Sequence, residues 1–233
     1  MSSLIRTFSL LLVVLLLTVP VWAQPRVELT QSTRRESGGS AGSSTHFHYL
    51  FENERFTTPI QEVDFDENGK GKFRFKRKDG EEIVNDLAVS PSVVNQLLSL
   101  LDAAAFLSST EEYQHKKDFS HLGTTTFTFS RGGKDRTVRL NYTDNANISR
   151  LLELFRGIIT QETRMFDLDT IRANDPLSTP AQLRQLEGEL RSKYIADPQR
   201  FVPVLQEIKL DEGLPLIARN HADRLLQMIK KGK

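Results

Sequence analysis

The sequence predicts an α+β fold: an antiparallel sheet of about five or six strands with two packed helices, in the order strands, helix, strand hairpin, helix, then a small C-terminal helical segment. Three observations carry that expectation. From His46 to Val89, and again from Thr124 to Tyr142, apolar and polar residues alternate at the period of a strand. Asn68-Gly69, Asp79-Gly80 and the Gly-rich stretch before Lys134 punctuate those runs as turns. Two later stretches, Val94 to Ala105 and Ile148 to Ile159, repeat their apolar residues at helical spacing.

Taken in order, His46-Phe47-His48-Tyr49-Leu50-Phe51 alternates aromatic and polar side chains and opens the fold near Thr45. Gln61 to Asp66 sets Val63 and Phe65 against Glu62, Asp64 and Asp66, and Lys72 to Lys78 returns with Phe73 and Phe75 against Lys72, Arg74 and Lys76. A two-residue Asn68-Gly69 loop would pair Phe65 with Lys72 and mix the faces. Pairing Phe65 with Phe73 needs one extra residue, for which Gly71 is the expected bulge. That register places Asp66, Asp64 and Glu62 opposite Lys72, Arg74 and Lys76. Glu82 to Val89 is a weaker strand, and Ser90-Pro91 starts a helix with proline at its first position. A Gly133-Lys134 loop would then join Thr124–Ser130 to Arg136–Tyr142, with Phe127 facing Leu140 and Phe129 facing Val138. The second helix is capped by Asn145 or Asn147 and buries Ile148, Leu151, Leu152, Phe155 and Ile159. Residues 45–165 make up this α+β domain.

Residues 175–233 change character. Thr179-Pro180-Ala181-Gln182 reads as a capping box, and Asp197-Pro198 and Leu214-Pro215 start two further helices. Asp197 to Lys230, with its early Pro203, its Asp211-containing turn and Leu214-Pro215-Leu216-Ile217-Ala218-Arg219 opening the second helix, resembles a single HEAT-type helical pair. Such units are stable when stacked, so one alone implies docking on the α+β domain. The element order of Thr45 to Thr163, behind a secretory leader, resembles uncharacterised secreted bacterial α+β domains. That resemblance implies no activity.

The N-terminal 1–23 places Arg6 before an apolar run from Phe8 to Val19, followed by Pro20 and Val21-Trp22-Ala23. These are the parts of a signal peptide, with cleavage expected after Ala23 and a secreted or periplasmic location. Residues 24–44, with Ser37-Gly38-Gly39-Ser40-Ala41-Gly42-Ser43-Ser44, are expected to form a flexible tether. No later segment reaches the length of a stable membrane span. The full chain carries 31 basic and 30 acidic residues. Removing Arg6 leaves a neutral mature chain, which has no general field for nucleic acid and only local patches for other anions. With no cysteine, disulfides, thiolate metal sites and cysteine nucleophiles are excluded.

The residues that bear chemistry are few. Gly38-Gly39-Ser40-Ala41-Gly42 matches G-x-S-x-G but lacks the preceding strand that a nucleophile elbow needs. Asp64, Asp66 and Asn68 match the opening of a calcium loop, although its twelfth position is Phe75 and lysines interrupt it. Lys72, Arg74 and Lys76 form a basic stripe, neutralised by the neighbouring strand, and with Tyr49 they are the expected ligand-contacting surface. His46 and His48 share one strand face at a metal-site spacing that His115 or His121, with Asp118, could complete. No cofactor fingerprint is present. The expectation is a non-enzymatic interaction module for a protein or cell-envelope ligand, the alternative being a metal-binding protein or metal-dependent hydrolase using His46 and His48.

Overall fold

Six strands form one antiparallel sheet: β1 (His46–Glu52), β2 (Ile60–Asp66), β3 (Lys70–Lys76), β4 (Glu82–Ala88), β5 (Thr124–Arg131) and β6 (Lys134–Leu140). A computed structural model describes residues 44–232, so the expected signal peptide and, apart from Ser44, the expected tether lie outside the described residues. Across the sheet the order is β4-β3-β2-β1-β5-β6. The first four strands meander outward from β1. After helix α1 (Pro91–Ala103) and a long connection, β5 returns to the free side of β1, making it a central strand.

Both hairpins keep the expected faces but shift the expected register by two positions. In β2–β3, Phe65 lies opposite Gly71 rather than Phe73, and Val63 opposite Phe73. The extra residue sits in the turn rather than in a bulge at Gly71. Glu67-Asn68-Gly69 links Asp66 to Lys70, with Gly69 at φ +74° and its N–H donating to Asp66 O at 2.9 Å. A side chain at Gly69 would meet the Val89 carbonyl, while Val89 N donates to Gly69 O at 2.7 Å. In β5–β6 the loop is Gly132-Gly133, not Gly133-Lys134, with φ of +63° and +72°. Two consecutive positive φ values suit a two-residue hairpin turn, and glycine meets that demand where lysine would be strained. Phe127 therefore faces Val138, and Phe129 faces Arg136.

One face of the sheet carries the core. Phe47, Tyr49, Val63, Phe65, Phe73, Phe75, Phe127 and Phe129 pack against Val94, Leu97 and Leu101 of α1 and against helix α2 (Ala146–Asn174). Phe155 of α2 is the hub, its ring 5.0 Å from Tyr49 and 5.1 Å from Phe127. Asn145 caps α2, its side chain accepting from Asn147 N and Ile148 N, both at 3.2 Å.

The second helix does not stop near residue 165. It continues to Asn174, about 43 Å at 1.5 Å per residue, because no proline interrupts it before Pro176. Its far half contributes Leu168 to a second core, with Leu183 and Leu186 of α3 (Thr179–Arg191), Leu205 and Ile208 of α4 (Val202–Leu210), and Ala218, Ala222 and Leu225 of α5 (Leu216–Lys231). The expected capping box is not formed. Thr179 is buried inside the helix start, and the Gln182 side chain instead accepts from Arg164. Polar ties join the helices: Arg164 holds Glu189 through Nε and Nη2 at 3.0 and 2.7 Å, and buried His221 pairs with Glu187 at 2.8 Å.

Candidate functional site

The face of the sheet opposite the core presents the residues singled out from the sequence. His46 Nε2 meets Asp64 Oδ1 at 3.0 Å, and His48 Nε2 meets Glu62 Oε1 at 2.8 Å. Glu62 also pairs with Arg74, which reaches Glu82 at 2.9 Å, and Lys72 holds Asp86 at 2.6 Å. Lys72 keeps the Asp86 carboxyl below the usual carboxylate range. The two-position shift gives Arg74 the partner Glu62 instead of Asp64, and Lys76 lies opposite Ile60 and Glu82. Lys72 and Arg74 are thus paired with carboxylates while Lys76 has none within 4.0 Å among the described residues, and each exposed pair contributes only about 0.2–1 kcal/mol. Tyr49 is no part of this surface. Its side chain alternates onto the core face of a central strand, where it is fully buried and burial raises its hydroxyl pKa.

Neither proposed cation set converges. His121 lies beyond the Glu52 end of β1, where Glu52 pairs with Thr124, whereas His46 is at the opposite end. At about 3.3 Å per residue those ends are about 20 Å apart. His115 is elsewhere engaged, with Nε2 3.1 Å from Asp144 Oδ2 and Nδ1 accepting from Lys117 N at 2.9 Å. Among the described residues no group of three histidine or carboxylate side chains could hold a metal ion. In the stretch that matches a calcium loop, Asp66 serves its own turn. Its Oδ1 accepts from Lys70 N at 3.0 Å and Asn68 N at 2.8 Å, which holds its carboxyl below the ordinary value. Asp64 faces His46, and the Asn68 side chain is exposed. The G-x-S-x-G match lies outside the described residues.

A second surface is built at one end of the sheet by the connection 104–123 between α1 and β5. Arg136 of β6 anchors this loop. Its guanidinium lies 5.0 Å from the Phe106 ring centroid and 4.9 Å from that of Tyr113, and it donates to the Phe106 and Glu111 carbonyls. Gln114 then stitches the loop to the end of β6: its Oε1 accepts from Asn141 N at 2.7 Å and its Nε2 donates to His115 O at 2.9 Å. His115 N donates to Tyr142 O at 2.9 Å, and the Asn141 side chain donates to Gly123 O. These bonds fix the walls of a shallow, open groove lined by Lys116, Lys117, Asp118, Ser120 and Arg139 among others.

Beside it Phe119 and Tyr142 pack with centroids 4.7 Å apart, His115 lies 5.2 Å from Phe119, and Tyr142 stays 43% exposed. Lys116, Lys117 and Arg139 have no carboxylate within 4.0 Å among the described residues, unlike Lys72 and Arg74. The lining carboxylate of Asp118 accepts from Ser120 N at 2.7 Å, which lowers its pKa. Of this surface, His115, Asp118 and His121 stand out in the sequence and the groove does not. The usable signal was a connection longer than a compact domain ordinarily carries, with the Lys116-Lys117 doublet inside it. No protein-family model matches the chain, and no curated protein matches it.

Proposed function

We propose that the chain is a secreted or periplasmic, non-enzymatic interaction module that holds a protein or cell-envelope ligand at the groove between residues 114–120 and the end of β6. One observation carries the reading. Lys116, Lys117 and Arg139 are left without carboxylate partners beside an exposed Tyr142 ring, on walls whose backbone is already hydrogen-bonded in place. Side chains without a partner in the fold, on walls tied in place by hydrogen bonds, suit a recognition surface. The extracytoplasmic address rests on the leader-like residues 1–23.

The test is to express the full chain in its source cells with a photo-cross-linking phenylalanine analogue in place of Tyr142. The expected product is a chain beginning at Gln24, cross-linked to an extracytoplasmic component. A chain retaining Met1 in the cytoplasm, or absence of any adduct, contradicts the reading. So does specific substrate turnover by the purified protein.

A further inference from the structure

We infer that the sheet-end groove takes an anionic polysaccharide, with carboxylate or phosphate groups on Lys116, Lys117 and Arg139 and a sugar face against Tyr142; this rests on the binding-module reading above. The argument is the mixture of groups at one place. Unpaired cations call for negative charge in the ligand, and they are divided between the loop and β6, which suits charges spaced along a polymer. The part-exposed Tyr142 ring supplies apolar aromatic surface for the C–H bonds of a pyranose, with the tilted Phe119 ring packed on it at 4.7 Å. Carboxylates stand in the same area: Asp118 lines the groove, and Asp144 holds His115 at 3.1 Å. These groups accept hydrogen bonds from sugar hydroxyls. A nucleic-acid strand is equally anionic but supplies no such hydroxyl-rich face.

The experiment is calorimetric titration of the processed full chain with four probes: polygalacturonate, a phosphorylated mannan, neutral dextran and a single-stranded oligonucleotide. Binding of at least one anionic polymer is expected, weakening as salt rises and exceeding that of both dextran and the oligonucleotide. The two anionic arms separate carboxylate from phosphate recognition. The combined variant Lys116→Gln, Lys117→Gln, Arg139→Gln should bind about tenfold more weakly or worse, with an unchanged melting temperature. Tyr142→Ala should weaken binding, while Tyr142→Phe, which keeps the ring, should not. Equal affinity for dextran, tighter binding of the oligonucleotide, or undiminished binding by the triple-charge variant overturns the inference. If those results come with a persistent cross-link from position 142 to an extracytoplasmic component, the ligand class falls and the binding module stands. If the cross-link is lost as well, both fall.

Discussion

Lys193 and Glu162 show how single residues here depart from what the fold alone would select. At the end of α3, Tyr194 N donates to Glu189 O at 2.9 Å and Lys193 N to Leu190 O at 3.2 Å, the paired bonds of a Schellman cap. Lys193 itself sits at φ +58°, where glycine is preferred. Left-handed strain of about 1–2 kcal/mol, less the chain entropy glycine adds to the unfolded state, predicts that Lys193→Gly raises stability by about 0.5–1 kcal/mol in urea unfolding. Glu162 is buried on α2, where it accepts from Gln161 Nε2 at 3.0 Å and lies 3.4 Å from Arg200 Nη2. Burial raises its carboxyl above the ordinary value of 4.5. The folded state therefore holds this proton more tightly than the unfolded chain does. The resulting stabilisation is fully present below the unfolded pKa and is lost as pH rises through the raised folded value. Glu162→Gln should flatten stability across that window and leave the protein at least as stable at neutral pH, as read by melting temperature against pH.

Among the elements, the hairpins separate what alternation can specify from what it cannot. A strand shifted by two residues keeps every side chain on its face, so the pattern of Val63, Phe65, Phe73 and Phe75 established the faces while leaving the register open. Turn chemistry decided it, through positive φ at Gly69 and at Gly132-Gly133. Gly133→Ala should cost about 1–2 kcal/mol by the same left-handed penalty, visible as a lower urea midpoint with an unchanged slope. The burial of Tyr49 was hidden for a different reason. Its strand becomes central only when β5, more than seventy residues later, returns to pair with it, and local pattern carries no trace of that pairing. The groove was illegible for the same reason, since it is assembled from Gln114 and Asn141 across a loop and a strand end. The outer-face residues His46, His48, Lys72 and Arg74 were legible, because period-two alternation alone places them.

At the scale of the whole molecule, residues 44–232 lie within one compact unit, and α2 is the reason. Its first half lies on the sheet core and its second half enters the helical core, with Arg77 of the β3–β4 loop paired to Asp167 on the way. Arg164, only 5% exposed, ties the far half to α3 through its two bonds to Glu189. Removing one partner of such a pair leaves a carboxylate poorly compensated, so Arg164→Ala should destabilise the protein by about 3 kcal/mol. The shared helix predicts that both cores unfold together. Far-ultraviolet circular dichroism and tyrosine fluorescence should therefore give coincident transitions.

Ligand recognition is proposed for the sheet-end groove and not for the paired Lys72 and Arg74 of the outer face. Hydrogen–deuterium exchange of the purified protein with and without polygalacturonate tests this assignment. Protection confined to the segments around residues 113–123 and 139–145 is the predicted result. Protection that falls on β2, β3 and β4, or that is spread evenly over the molecule, contradicts it.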